Sequence, residues 1–272
     1  MLYSSIFAFI NNKCRMESKI LSSREVRRYG RQIMIPEIGL EGQEKLKNSR
    51  VLVVGAGGLG CPVLLYLTAA GIGKISIVEF DKVDETNLQR QVLYGTSDVG
   101  KLKSIIAKER LEHLNSNGVF EIINLRFDAS NALGIISGFD IIVDATDNLE
   151  TRYVINDACI MMNKPMVHGA IYKYEGMVSV FNHKGGPTYR CFNPSGLSES
   201  YRNPAPSMVG LLGVLPGITG TLMANEVIKI ITSTGEILSG KILIFNISGN
   251  TFRAFEIKNI PENHKINLIS DR

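Results

Sequence analysis

Residues 51–60 read VLVVGAGGLG. Four apolar residues, three of them β-branched valines, suit a strand buried on both faces. Gly55, Gly57 and Gly60 follow with GxGxxG spacing. An apolar stretch from Leu59 to Ala70 then reads as a helix, with Gly71 as its cap. Glycines at this spacing let the backbone approach a phosphate, and the helix N-terminus presents unpaired N–H groups and positive potential. With 26 glycines in 272 residues, the spacing alone is a weak signal, so the strand before it and the helix after it carry the inference. A second strand, Lys74–Glu79, completes a βαβ unit. Glu79 ends it, where an acidic side chain can hold ribose hydroxyls. To this point an NAD-dependent oxidoreductase fits as well as a mononucleotide enzyme.

Upstream, Ser22 and Glu25 stand three apart as in a capping box. They predict one helix that carries RRYGRQ and ends before Pro36, followed by a short helix over EGQEKLKNS. Downstream, a loop over Asp81–Gly100 leads to a helix at Leu102–Asn115. Strands at Phe120–Phe127 and Ile141–Val143 flank a short helix, and a helix at Arg152–Asn163 follows. The texture then changes. Met166–Gly169, Gly176–Phe181, Lys241–Phe245 and Phe252–Ile257 read as strands, the last two as a hairpin around Ser248-Gly249-Asn250. A helix at Thr219–Thr232, capped by Gly235, precedes the hairpin. The expected fold is α/β: a Rossmann-like, doubly wound mixed sheet with a C-terminal antiparallel β extension. It forms a single domain over residues 21–260, between a poorly ordered extension (1–20) and a tail (261–272).

The net charge of +4, from 30 basic and 26 acidic residues, is too mild to argue for nucleic acid. It is compatible with phosphate ligands or an acidic protein partner. Cys14, Cys61, Cys159 and Cys191 form no CxxC pair, which points to a reduced, cytoplasmic setting. No apolar run approaches the ~20 residues of a membrane span. The opening MLYSSIFAFI has no positive n-region, and Met16 offers an alternative start.

Two further segments carry chemistry. In DKVDETNLQRQ, Asn87, Gln89 and Arg90 fall just beyond the second strand, on the nucleotide side of the sheet. An NAD site has no need of a cation there. A triphosphate does, and Arg90 can grip phosphate oxygens bidentately while Lys103 adds a point charge. In VDATDN, Asp144 ends a buried strand and Asp147-Asn148 follow at its C-terminal end, where ligands of doubly wound sheets sit. Asp147 suits Mg²⁺, or else caps the helix that follows.

RYGRQ (Arg28–Gln32), GAGGLG (Gly55–Gly60), NLQRQ (Asn87–Gln91), VGKLK (Val99–Lys103), ATDN (Ala145–Asn148) and GVLPGITG (Gly213–Gly220) occur in this order. With them the chain, from about Ser22 to Ile257, resembles the ThiF/MoeB/HesA family of sulfur-carrier protein adenylyltransferases, relatives of ubiquitin-activating enzymes. The resemblance implies that ATP and Mg²⁺ are used to adenylate the C-terminal carboxylate of a small ubiquitin-like sulfur-carrier protein ending in Gly-Gly. It implies nucleotide contacts by Gly55, Gly57, Gly58, Asp81 and Asn148, and ribose binding by Glu79, a position where the family more commonly has Asp. Asn87, Arg90 and Lys103 would contact phosphates, and Asp147 would hold Mg²⁺. Arg31 would reach across a homodimer into the neighbouring subunit's site, so Arg31, Arg90, Lys103 and Asp147 are the expected catalytic set. No nucleic acid or membrane partner is implied. Adenylation of a short peptide, a reaction known among relatives, and a non-catalytic subunit role remain alternatives, beside the NAD enzyme.

The chain departs from this family in two places. Many relatives hold a structural zinc on two CxxC pairs. Here the first pair is Thr188-Tyr189-Arg190-Cys191 and the second, near Pro261–Ile266, has no cysteine, so zinc is expected to be absent. The crossover loop of the family, Asn193–Gly210 here, lacks the cysteine that many relatives carry, and its Pro, Ser and Gly content predicts a mobile segment. Without zinc, packing by Phe192, Phe252 and Phe255 is expected to tie this region to the C-terminal hairpin.

Overall fold

The computed structural model describes residues 20–194 and 210–269. Nearly all of the expected N-terminal extension, most of the crossover loop and the end of the tail lie outside the described residues.

Ser22 caps α1 (Ser23–Arg28): its Oγ accepts from Glu25 N, and the Glu25 carboxylate accepts the Ser22 N–H at 2.8 Å. The helix predicted through RRYGRQ is broken at Tyr29 and resumes as α2 (Gly30–Ile33). The Tyr29 ring is buried against Gly71, and its hydroxyl accepts from Asn115 Nδ2 at 2.8 Å, a tertiary hold that overrides helix continuity. Then come α3 (Gly39–Asn48), β1 (Arg50–Val54), α4 (Gly60–Ala70), β2 (Lys74–Val78), α5 (Lys103–Leu114) and β3 (Val119–Ile123). α6 (Ala132–Ile136), β4 (Ile141–Asp144), α7 (Leu149–Met161), β5 (Met166–Tyr172), β6 (Glu175–Phe181) and α8 (Tyr189–Phe192) follow. The described chain ends with α9 (Val214–Thr232), β7 (Lys241–Asn246), β8 (Thr251–Glu256) and a 3₁₀ turn at Pro261–His264.

The described strands form one sheet in the order β3-β2-β1-β4-β5-β6-β7-β8. Pairing is parallel from β3 to β5 and antiparallel from β5 to β8. Along β1 the side chains alternate between two cores. Val51 and Val53 join Leu64, Leu67, Ile106, Met223 and Val227 from α4, α5 and α9. Leu52 and Val54 join Ile136, Val154, Ile155 and Tyr189 from α6, α7 and α8. Each such side chain contributes about 1.5–3 kcal/mol by leaving water. Strands with helices on both faces read as continuous apolar runs, which is why β1 and β4 were legible.

α9 begins five residues before the predicted Thr219, because Pro216 falls in its first turn, where a missing N–H costs little. It ends on Ser233, left-handed at φ 58°, rather than on Gly235. At 19 residues it is apolar enough to pass for a membrane span, which corrects the expectation that no segment approaches one. Its face packs on α4, β5 and β6, and buried Glu226 accepts the Leu238 N–H at 2.9 Å.

β8 differs from the rest of the sheet, since all its residues are exposed. Phe252 and Phe255 are 57% and 49% exposed and do not bridge to α8, contrary to expectation, because α9 covers β5 and β6 and leaves the outer strand bare. Phe252 stacks on Phe245 instead. The tie between α8 and the C-terminal segment comes from Phe192, which packs into the core shared with Ile257 and Ile269, and from Cys191. Cys191 Sγ accepts from Ile260 N at 3.4 Å and from Asn263 Nδ2 at 3.7 Å.

Candidate functional site

After β1 the chain turns towards β2 and β3, then returns to place β4 on the other side of β1. At such a switch point the loops after the two central strands diverge and leave a crevice for a ligand. Here they also touch. A Cβ on Gly55, which has φ 96°, would lie 2.8 Å from the Ala145 carbonyl, and one on Gly60 would lie 2.1 Å from the Gly55 carbonyl. The backbone therefore requires glycine at both places. GAGGLG and ATDN form one floor.

Three side chains fix that floor from below. Glu79 Oε2 accepts from Ala56 N at 3.0 Å, and Oε1 accepts from Phe80 N and Asp81 N, both at 2.9 Å. The acid expected on the ribose thus ties the glycine loop, through Ala56 N, to the chain just after β2. Tyr94 donates to the Ala56 carbonyl at 2.8 Å, and burial pushes its hydroxyl well above the ordinary phenol range. Cys61 sits below the same carbonyl, and burial pushes its thiol up to about 12, so it acts as a small apolar residue.

GVLPGITG supplies one wall. A Cβ on Gly58 would lie 3.2 Å from Pro216 and 3.7 Å from Arg90 Cδ, and one on Gly213 would meet the Gln89 carbonyl at 2.1 Å. Arg90 is thereby brought over the glycine loop. Its Nη1 donates to the Thr86 carbonyl at 3.1 Å and its Nη2 to Asn87 Oδ1 at 3.0 Å. Asn87 Oδ1 also accepts from Gln91 Nε2 at 3.2 Å, so in this structure Asn87 acts by aiming Arg90. Gln91 Oε1 is buried without a partner among the described residues, beside Gly57. A buried orphan acceptor at a phosphate-binding loop fits a ligand that brings donors or water. Lys103 opens α5 and is 5% exposed, with Nζ 3.4 Å from the half-exposed Asp81 carboxylate. Two cations thus flank the loop, each already oriented.

In the ATDN loop the helix cap is not Asp147. Asn148 caps α7, its Oδ1 accepting the Thr151 N–H at 2.9 Å. Asp147 is exposed and has no hydrogen bond or ion pair to another described residue. A free carboxylate on a loop that touches the glycine loop has the chemistry Mg²⁺ takes, one or two carboxylates together with waters and phosphates. Among the described residues no group of three or more His, Cys, Asp or Glu is placed to hold a metal. One carboxylate plus phosphates needs no such group.

Arg31 is not brought to this site. Its neighbour Gln32 donates to the Ala70 carbonyl at 3.1 Å, at the far end of α4 from the glycine loop. Eleven helical residues separate the two ends, about 16 Å. Arg31 is exposed there beside the exposed Met34 and Ile35.

Sequence reading missed Gln91, whose signal was its place four residues after Asn87, and Pro216, which reads as a breaker. It also missed the partners of Asp144. These are His168, with Nδ1 2.6 Å from Oδ2, and Arg152, with Nε 4.0 Å from the same oxygen. Cys191 is half-buried. Burial pushes its thiol up, but hydrogen bonds with Thr188, Ile260 and Asn263 outweigh this and bring it below the ordinary value.

The model of the ThiF family matches residues 29–265. A probable molybdopterin-synthase adenylyltransferase of Porphyra purpurea is 47% identical over 89% of this chain, and the alignment covers 64% of that protein. A sulfur carrier protein adenylyltransferase of Thermus thermophilus is 43% identical, over 88% of this chain and 90% of that one. The chain thus spans about two thirds of the first relative and most of the second. The crystal structure of E. coli MccB with ATP superposes with a TM-score of 0.75 at 26% identity, over 86% of this chain and 72% of that one.

Proposed function

The chain belongs to the ThiF family, and we propose that it is an adenylyltransferase acting on the C-terminal carboxylate of a small ubiquitin-like sulfur-carrier protein ending in Gly-Gly. The observation that carries this reading is the convergence of the glycine loop, Arg90, Lys103 and a free Asp147 at one switch point. Relatives at 43–47% identity named as adenylyltransferases support it.

In the proposed reaction a carboxylate oxygen attacks the α-phosphorus of ATP, the bond to the β-phosphate oxygen breaks, and pyrophosphate leaves with both electrons. No proton transfer or side-chain nucleophile is required. Both reactants are anionic, so the barrier is largely charge repulsion and alignment. Arg90, pinned by Thr86 and Asn87, meets phosphate charge without reorganising, and Lys103 adds a second cation from a buried position. Mg²⁺, held by Asp147, would neutralise charge on the departing pyrophosphate. Gly57 and Gly58 would admit the phosphates to the backbone. Asp81, paired with Lys103 at 3.4 Å, would hold that lysine towards the nucleotide. Asn148, occupied as a cap, would contribute through its backbone.

The placement of Arg31 at the remote end of α4, beside exposed apolar residues, supports a homodimer in which it serves the other subunit's site. The cysteine pattern supports a cytoplasmic setting. A short peptide as substrate is a second reading, favoured by the likeness, at 25% identity, to the crystal structure of E. coli MccB with AMPCPP and MccA.

The proposal is tested by intact-mass measurement of a Gly-Gly-ending carrier incubated with enzyme, ATP and Mg²⁺. An added AMP on the carrier, absent when the last glycine is deleted, is expected. AMP transfer only to short peptides would replace the carrier with the second reading.

A further inference from the structure

Asp144 and His168 face each other as registered partners on β4 and β5, and both are fully buried. His168 Nδ1 lies 2.6 Å from Asp144 Oδ2, so Nδ1 carries the hydrogen and donates it. Nε2 is buried and has no partner among the described residues; the His168 ring packs on Tyr189 and Phe181, with centroids 5.0 and 5.8 Å away. The other Asp144 oxygen accepts from Thr146 twice, from its N–H at 3.0 Å and from its hydroxyl at 2.6 Å. The Thr146 carbonyl accepts from Arg152 Nη2 at 3.0 Å. Every polar group of Thr146 is thus held, and the next residue is the unpartnered Asp147.

We propose that His168 is a positioning residue for Asp147: by fixing the Asp144 carboxylate, which in turn clamps Thr146, it sets the direction in which the Asp147 side chain leaves the sheet. This rests on the reading that Asp147 holds the divalent cation with ATP. The chain of contacts runs His168, Asp144, Thr146, Asp147, from a strand packed in the core to an exposed loop residue. The unpartnered Nε2 shows that the imidazole is oriented by one hydrogen bond and by ring packing, so removing the donor releases the carboxylate. An aliphatic residue at 168 would leave Asp144 free to turn towards Arg152, 4.0 Å away, and to let go of Thr146. Groups behind a metal ligand commonly change metal affinity by about 10- to 100-fold when removed.

The test uses Mn²⁺ as a probe for the divalent site, read by electron paramagnetic resonance in the presence of ATP, beside metal-free ATP binding by calorimetry. His168→Leu should bind Mn²⁺ with ATP about 10-fold more weakly, with metal-free ATP affinity unchanged. His168→Asn, whose amide N–H can replace Nδ1–H, should recover most of the loss. A residue that only stabilises the core would lower the melting temperature and leave the Mn²⁺ affinity alone. Wild-type Mn²⁺ affinity in a folded His168→Leu protein would overturn the proposal, as would His168→Asn being no better than leucine. Should His168→Leu not fold, Thr146→Val removes the shorter of the two hydrogen bonds by which Asp144 holds Thr146, and undiminished Mn²⁺ affinity there would also overturn it. If the wild type itself binds Mn²⁺ no better with ATP than without, the metal role of Asp147 fails first, and the positioning role falls with it.

Discussion

β1 and β8 belong to one sheet and live in opposite surroundings. Val51–Val54 of β1 are buried and feed two cores, while every residue of β8 is exposed. The parallel half, β3 to β5, is fixed by backbone-to-backbone approach at the glycine loop. The antiparallel extension ends in a strand whose side chains touch little. Tolerance to substitution should therefore fall steeply from β8 towards β1, and nucleotide chemistry should fall with it.

The sharpest contrast is Gly60→Ala against Phe252→Ala. At Gly60 the new Cβ would lie 2.1 Å from the Gly55 carbonyl, so the loop must open. The expected result is loss of ATP binding and about 3 kcal/mol of stability in urea unfolding. Phe252→Ala loses one exposed ring stack, about 1 kcal/mol or less, with ATP binding unchanged. Equal effects at the two sites would erase the distinction between the halves.

Within the parallel half, Asp147 and Asn148 are neighbours with different work. Asp147→Ala should lower the rate of adenylation about 100-fold or more and leave the melting temperature in place, because Asn148 is the helix cap. Asn148→Ala should cost about 1 kcal/mol of stability and retain most activity. If Asp147→Ala lowers the melting temperature instead, the division of labour is reversed.

A smaller effect is expected from pH. Asp98 is buried and holds the turn before Lys103, accepting from Gly95 N at 3.0 Å and pairing with Arg110 at 3.1 Å. The Gly95 hydrogen bond pulls its pKa below the ordinary value; burial opposes this, and Arg110 and Lys101 reinforce it. A carboxyl with a depressed folded pKa adds stability that is present above its ordinary pKa of about 3.8. That stability is lost as pH falls towards the lower folded value. Thermal midpoints should accordingly fall on acidification below that range, and less steeply in Asp98→Asn. Parallel curves for the two proteins would remove Asp98 from the loop's support.

The smallest effect is expected at Cys191, where the extension meets α8. Cys191→Ser should leave carrier adenylation unchanged, and elemental analysis should find no stoichiometric zinc. One zinc per chain, or an inactive but folded serine variant, would give this region chemistry that its residues do not suggest.

The parallel half was legible because local signals and burial agree there: VLVVGAGGLG states a strand, a turn only glycine can make, and a helix. The Ser22–Glu25 box and the hairpin at Ser248-Gly249-Asn250 were legible for the same reason. The break at Tyr29 was not, since its cause is a hydrogen bond to Asn115, 86 residues away. The early start of α9 was hidden by Pro216, which breaks helices everywhere except in a first turn. At the site, the cations and Asp147 could be named from the sequence, but their division of labour could not. The three backbone donors to Glu79 appear only in the fold, and His168 meets Asp144 only because β4 and β5 pair.

The most direct measurement is exchange of labelled pyrophosphate into ATP, with enzyme, Mg²⁺ and a purified Gly-Gly-ending carrier. Exchange should require the carrier's free C-terminal carboxylate, stop when that carboxylate is amidated, and vanish in Arg90→Ala and Lys103→Ala. Exchange that proceeds equally well without any carrier or peptide, or none with any such substrate while ATP is bound, would contradict carboxylate adenylation as the work of this site.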